Sequence, residues 1–442
     1  MLQDAKIRDN VLMVVLAGGE GRRLFPLTAD RTKPAVPIGS KYRLIDIPLS
    51  NAANSGIYKS LVLTQGFDNS LNRHIRKTWY SAPHYNAFTE LISPQGVGKT
   101  FKGDADAVRQ VVNEIKAIDP NIVLVVPGDH LLKMNYFEFV KFLAHGKADV
   151  AISLIKRPID MASQLGSVAI DENDNITGFL EKTPDTPYAF NDENGQRVFF
   201  ASMGIYAFKT KALFKSLKEE GDLFGQDIIP KILSSMKIIG YNYNKKNIIM
   251  DKSWIHYGNL MLDEDEVSSD SEYWRDVGTI GEYFQANMDL TGVQPIFNLY
   301  GSKWPFFSGT QDLGPAKIIR TEGGTNFESA IVGEGSILSN VGGRSLVISQ
   351  RVYIDRSYLE NVIIMEGCNV QRCHIRNTII DKWVNLVDME IGFNEYEDRR
   401  RGIYIDAASG IRVIPKEYDY TFQFFPEKIP KYAEEQNFPP NS

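Results

Sequence analysis

Cysteine is nearly absent. Cys368 and Cys373 are the only two in 442 residues. The chain is therefore not a disulfide-stapled secreted scaffold, and a reducing cytoplasm is the expected setting, or a plastid if a transit peptide was removed. Long apolar runs are missing too. None reaches the ~20 residues of a membrane helix. The apolar stretch that follows residues 1–10 stops at Gly18, too short and too poorly flanked for a signal peptide. No membrane partner is expected. Positive charge is not in excess either. The formal net charge is −6, so the basic field that general nucleic-acid binding needs is lacking. The chain is not poor in apolar residues, however. At 43% hydrophobic and 11% aromatic it can bury a core, which excludes wholesale disorder.

The length suggests two or three domains of roughly 100–200 residues each. Charge is unevenly spread among them. Arg22, Arg23, Arg31, Lys33, Lys41, Arg43, Arg73, Arg76 and Lys77 crowd the N-terminal part. A basic segment in an acidic chain suits a small polyanion. A solvated face is the competing reading, weakened here because several of these residues stand beside Gly and Pro.

Val11 to Ala17 (VLMVVLA) is a short continuous apolar run ended by Gly18, Gly19 and Gly21, the pattern of a buried parallel strand. SLVLT from Ser60, IVLVV from Ile122 and VAISLI from Val150 repeat it. Between them, residues 105–118 and 135–145 read as helices. Strand and helix in alternation predict an α/β fold with a doubly wound, mostly parallel sheet. Ligands of such sheets bind outside the carboxyl ends of the strands, where Gly18 to Gly21 and Pro127-Gly128-Asp129 fall. Residues 237–272 look like an exposed, acidic, mobile insertion. From Ile331 to Ile380 short apolar triplets recur at nearly even spacing between Gly, Asn, Ser and Asp, which predicts a parallel β-helix, with an antiparallel barrel as the alternative. The expected division is a catalytic domain over 1–290, a linker over 291–326, and the β-helix with a C-terminal tail over 327–442.

Four segments carry chemistry. In LAGGEGRR, Gly18, Gly19 and Gly21 let backbone N–H groups approach a ligand, and Arg23 and Lys33 supply fixed cations. This suits a triphosphate, although it is neither a P-loop nor a dinucleotide fingerprint. In VVPGDH, Asp129 follows a buried strand and is placed to hold Mg²⁺, which takes one or two carboxylates plus phosphate oxygens and water. YWRDVGT offers a second carboxylate, Asp276. For either Asp alone, a turn residue is the simpler reading. Glu181-Lys182, with Ser202 and Tyr206 downstream, suits a sugar phosphate, with a surface ion pair and an alternating strand as the alternative.

Together these segments resemble the sugar-1-phosphate nucleotidyltransferases, and within them the glucose-1-phosphate adenylyltransferases (ADP-glucose pyrophosphorylases), over nearly the whole chain. The resemblance is carried by GGEGRRLFPLT, RTKPAVPIGSKYRLIDIPLSN with NSGI, LTQ ending at Gln65, PGDH, EK, ASMGIY and YWRDVGT. It implies a catalytic α/β domain followed by a left-handed β-helix. It also implies Mg²⁺-dependent adenylyl transfer from ATP to glucose 1-phosphate, giving ADP-glucose and pyrophosphate for α-glucan synthesis. By the same resemblance, Arg23 and Lys33 grip the triphosphate and leaving pyrophosphate, and Asp129 and Asp276 hold the metal. Gly18, Gly19, Gly21, Gln65, Gln95, Phe101 and Gly103 surround the nucleotide. Glu181, Lys182, Ser202 and Tyr206 fall in the sugar-phosphate site. Small anionic effectors and a homotetramer or heterotetramer are the implied partners.

Three positions differ from the family pattern: Arg22 stands for Thr or Ser, Asp104 for Thr, and Leu223 for Asp. Asp104 is expected to cap the helix that follows it. The competing functions are a relative that uses UTP, dTTP or GTP, a non-catalytic regulatory subunit, and a β-helix scaffold. Retention of Lys33, Asp129 and Asp276 favours the enzyme.

Overall fold

The computed structural model describes residues 2–19, 21–65, 69–79, 87–94, 100–251, 266–309, 311–319 and 326–416. Val11–Ala17 is a strand buried along nearly its whole length, as a strand covered by helices on both faces must be. Lys59–Thr64 and Ile122–Pro127 flank it in parallel, and Phe88–Ile92 extends the sheet beyond Lys59–Thr64. The parallel pattern then breaks. The 13-residue strand Arg197–Lys209 runs antiparallel between Ile122–Pro127 and Val150–Pro158. Ser167–Ile170 and Ile176–Leu180 add an antiparallel flank. The expected mostly parallel sheet is thus a mixed one. Short antiparallel pairs, with no crossover helix, fill the chain between Val150–Pro158 and Arg197–Lys209, and only a crossover would have kept the direction parallel.

The helix Tyr136–His145 starts where expected, with the Asn135 side chain accepting from the amides of Phe137 and Glu138. The helix expected over 105–118 is two, Asp104–Gln110 and Val112–Ile118. They part at Val111, which leaves helical geometry (φ −109°, ψ 20°), and the β-branched pair Val111-Val112 lowers the local helix preference. The mobile insertion expected over 237–272 also needs correction. Ile238–Asn242 is a fully buried strand parallel to Val150–Pro158. Asp270 is buried as well, 3.1 Å from the buried Lys133 ammonium. Residues 252–265 lie outside the described residues.

The C-terminal repeats form two ladders of parallel strands. Leu338 pairs with Ile354, Ile354 with Val370, and Val370 with Leu386. On the other ladder Ile348, Ile364 and Ile380 align. All seven side chains are buried, so each coil covers the apolar row of the last, which is how a β-helix builds a core one layer at a time. The parallel β-helix is therefore the architecture, and the antiparallel barrel is excluded. Cys368 and Cys373 are free thiols inside it.

The two domains share a core. Leu24, Leu27 and Val36 pack in one cluster with Phe297 and Phe306 from the connecting chain and Val347, Ile363 and Ile379 from the β-helix. A buried ion pair crosses the same boundary: the Arg31 guanidinium meets both oxygens of Asp381, at 2.9 and 3.0 Å. Arg31 stands two residues before Lys33, so the β-helix holds the segment that presents the lysine. Among the described residues, no helix is long and apolar enough to cross a membrane.

Candidate active site

Three strand ends meet at the carboxyl edge of the sheet. Val11–Ala17 runs out into Gly18, and Ile122–Pro127 runs out into Gly128 and Asp129. The third is Trp274–Asp276, which pairs antiparallel with His130–Leu132 and sets Asp276 opposite His130. Gly128 fits tightly beneath them. Its N–H donates to the Leu16 carbonyl at 2.9 Å, and a methyl there would lie 3.0 Å from that oxygen.

Lys33 joins the two carboxylates. Its ammonium lies 2.6 Å from Asp129 Oδ2 and 3.2 Å from Asp276 Oδ1. Burial opposes the charge on Lys33, but Asp129 and Asp276 outweigh it and hold the lysine above its ordinary pKa. Burial likewise pushes Asp276 up, and His130, Lys33 and Arg23 together pull it below the usual carboxylate range. Arg23 is exposed and lies against Gly278, where a methyl would come within 3.3 Å of its guanidinium. The fold thus brings Arg23, Lys33, Asp129 and Asp276, all expected at the site, into one cluster.

It missed His130, which completes the cluster. His130 Nε2 is 3.9 Å from both Asp129 Oδ1 and Asp276 Oδ1. The Trp274 indole N–H donates to His130 Nδ1 at 3.3 Å. In the neutral imidazole that leaves the proton on Nε2, facing the carboxylates. The signal was in the PGDH motif, one residue after Asp129. Asp129, His130 and Asp276 offer donor atoms within 4.8 Å of one another. With Nε2 protonated, the ligands left for a cation are the two carboxylates, which is the donor set magnesium uses.

Of the residues expected around the nucleotide, Gly18, Gln65 and Phe101 form a second group. A methyl on Gly18 would sit 3.4 Å from both Gln65 and the Phe101 ring. Gln65 is locked onto the Phe101 backbone, accepting from its N–H at 2.6 Å and donating to its carbonyl at 3.4 Å. Gly19 faces open space. Gly21 has a left-handed φ of 63° at the start of the 3₁₀ turn Arg22–Leu24, a conformation that favours glycine. Gly103 precedes the helix Asp104–Gln110. Gln95 lies outside the described residues.

Glu181, Ser202 and Tyr206 converge in a third group. A Glu181 oxygen sits between Gly166 and Gly225, where methyls would lie 2.7 and 2.8 Å away. Tyr206 pairs with Val125 on the strand that leads to Asp129. Its hydroxyl interacts with the Ser202 side chain, and burial, then Asp104, raises its pKa. Lys182 is the outlier. Its side chain is 61% exposed and pairs with Glu181 at 3.6 Å, which is the surface ion pair weighed above. Asp104 does not cap its own helix. Gly103 occupies the cap position, and Asp104 Oδ1 accepts from the next amide, Ala105, and from Phe224.

This edge, with glycines at the ends of two strands and two carboxylates around a lysine, is that of an α/β transferase for phosphorylated nucleotides. The nucleotidyl transferase family model matches residues 12–292, and the model described as GlmU-like, C-terminal hexapeptide matches residues 314–414. Relatives cover almost the whole chain. The glucose-1-phosphate adenylyltransferase of Corynebacterium diphtheriae is 39% identical over 93% of this chain and 94% of its own. Those of Trichlorobacter lovleyi and Corynebacterium glutamicum are 37% and 38% identical, each over 94% of this chain and 99% of its own. The chain belongs to the glucose-1-phosphate adenylyltransferase family and is a nucleotidyltransferase.

Proposed function

We propose that the chain transfers the adenylyl group of ATP to α-D-glucose 1-phosphate, with Mg²⁺, and so supplies ADP-glucose for glycogen- or starch-type α-glucan synthesis in the cytoplasm. The observation that carries this reading is the Lys33–Asp129–Asp276 cluster at the edge of the sheet. A phosphate oxygen of the sugar phosphate attacks the α-phosphorus in line. The new P–O bond forms as the bond to the β-phosphate oxygen breaks, and pyrophosphate leaves with the electron pair. The nucleophile is already an anion, so no strong base is required, and the barrier lies in like-charge repulsion and leaving-group charge. Lys33 and Arg23 offset that charge, the backbone at Gly18 to Gly21 approaches the phosphates, and Gln65 and Phe101 wall the base. Asp129 and Asp276 would hold Mg²⁺, which neutralises phosphate charge when bound.

The test is initial-rate pyrophosphate release from ATP and glucose 1-phosphate. We expect release with Mg²⁺ and its loss with EDTA. Release unaffected by EDTA would remove the metal from the account.

Lys182→Ala separates the sugar site from the nucleotide site. The exposed lysine would meet the sugar phosphate alike in ground and transition states, so KM for glucose 1-phosphate should rise with little change in kcat. A rise in KM for ATP instead would put the sugar phosphate elsewhere.

A cavity of about 640 Å³ between the domains suits the small anionic effectors. Arg31, Arg43, Arg73 and Lys382 line it. Burial, together with neighbouring arginines, keeps Arg43 and Lys382 below their ordinary pKa despite nearby carboxylates. An added anion would relieve that crowding of positive charge. A homotetramer or heterotetramer is part of the same reading. The β-helix exposes Ile337, Tyr353 and Tyr358, apolar surface that a neighbouring subunit could cover.

A further inference from the structure

The geometry points to Asp104 as a positioning residue for the sugar-phosphate pocket: from the first turn of one helix it caps the start of another, and so fixes the turn at 222–225 behind Glu181. This rests on the reading of that pocket given above.

The helical segment Phe224–Ile228 begins after Leu223, which is extended (φ −116°, ψ 131°) and makes no side-chain cap. Amides at a helix start need acceptors from elsewhere. Asp227 Oδ2 serves two of the amides here, Asp222 at 2.8 Å and Leu223 at 2.9 Å. The Phe224 amide is served from 120 residues away, by Asp104 Oδ1 at 2.7 Å. A return connection runs the other way, with the Asp222 carbonyl accepting from Ala105 at 2.9 Å and Asp106 at 3.2 Å. Gly103 makes this approach possible, since a methyl there would lie 2.3 Å from the Asp222 carbonyl oxygen. The helix Asp104–Gln110 and the 222–225 turn are thus tied in both directions.

The turn carries pocket geometry with it. Gly225 leaves the room that Glu181 occupies. The Phe224 ring packs against the Tyr206 ring, with centroids 5.5 Å apart. Moving Phe224 therefore moves the surroundings of both Glu181 and Tyr206. Asp104 stands there at an electrostatic disadvantage. Burial, with Glu181 adding to it, outweighs the backbone bonds that Asp104 accepts and raises its pKa to about 6. Solvation does not account for a carboxylate in that place, whereas the Phe224 amide does. If Asp104 is removed, Ala105 and Asp106 keep the Asp222 carbonyl, while the Phe224 amide loses its acceptor. The loss should fall on the sugar side more than on the nucleotide side.

The test compares Asp104→Ala with Asp104→Asn. We expect Asp104→Ala to raise KM for glucose 1-phosphate about tenfold, with KM for ATP and kcat within about twofold. Asp104→Asn, which keeps the acceptor oxygen, should stay near the unsubstituted chain. Equal rises in both KM values, no rise, or an Asp104→Asn variant as impaired as Asp104→Ala would each overturn the proposal. Should Asp104→Ala be insoluble, Asp104→Asn decides: soluble with a near-normal KM supports the cap, and insoluble overturns it. Hydrogen exchange at the Phe224 amide is read in parallel. It should be protected in the unsubstituted chain and unprotected in Asp104→Ala, whatever substrate the enzyme uses. A failure of the cap is thereby separated from a failure of the glucose 1-phosphate reading.

Discussion

Asp129→Asn should lower kcat by at least about a hundredfold and leave the fold in place. Asparagine keeps the shape of the side chain and can still accept from Lys33, now 2.6 Å away. It loses the negative charge, and with it half of the carboxylate pair that suits Mg²⁺. One fewer anion also leaves Lys33 shared with Asp276 alone. Turnover under saturating ATP and glucose 1-phosphate, with the circular dichroism spectrum as a check on folding, measures this. A near-normal rate would make Asp129 a turn residue after Gly128 and nothing more.

Asp381→Ala should have the largest effect on stability, about 3 kcal/mol, the low end for breaking a buried pair, because it removes the carboxylate on both NH groups of the buried Arg31 guanidinium and leaves it only the half-exposed Asp30, 3.0 Å from Nε. Both side chains are almost fully shielded from water. Burial opposes the charge on Arg31, and Asp381, then Asp30, outweighs it and raises its pKa. Burial pushes Asp381 the other way, above the usual carboxylate range even with Arg31 beside it, but the two-point contact, with each oxygen on a guanidinium NH group, is that of an ionised pair. Asp381 also accepts from the Lys382 amide at 2.7 Å, so the alanine variant loses an acceptor inside the β-helix as well. Urea unfolding measures the loss. A cost below about 1 kcal/mol, the level of an exposed ion pair, would show that the domains are held together by their shared apolar core and not by this contact.

The elements read well from the sequence were those with one clear period and one clear end. VLMVVLA and IVLVV are apolar throughout and stop at glycine or proline, and both became central strands. The β-helix was legible because its apolar triplets repeat and each buries itself on the coil before. What was not legible depended on partners far along the chain. Ile238–Asn242 (IIGYN) is less apolar than VLMVVLA or IVLVV, and the acidic stretch after it suggested a surface loop, so only the pairing with Val150–Pro158 reveals a core strand. The direction of Arg197–Lys209 could not be read from its side-chain alternation, which is the same in parallel and antiparallel strands. The helix break at Val111 left little signal beyond two valines.

In the site, strand ends and glycines put the Lys33 segment and Asp129 at one sheet edge in expectation, the family resemblance added Asp276, and the fold brings the three within bonding distance. His130 was in view but had no assigned role, because its meaning depends on Trp274, whose proximity only the pairing of His130–Leu132 with Trp274–Asp276 creates. Lys182 shows the opposite limit. A lysine beside a glutamate reads alike for a binding site and for an exposed ion pair, and its exposure is a property of the fold. Asp104 and Leu223 stand far apart as two unrelated exchanges along the chain, and they meet only where Asp104 reaches the Phe224 amide.

The cluster at the sheet edge is proposed to transfer an adenylyl group to glucose 1-phosphate. The most direct measurement gives the enzyme glucose 1-phosphate and Mg²⁺ with an equimolar mixture of ATP, UTP, GTP and dTTP, and identifies the nucleotide sugar by mass. The account predicts ADP-glucose as the main product, formed with one pyrophosphate for each molecule. A mixture dominated by UDP-glucose or dTDP-glucose, or no nucleotide sugar at all, would contradict it.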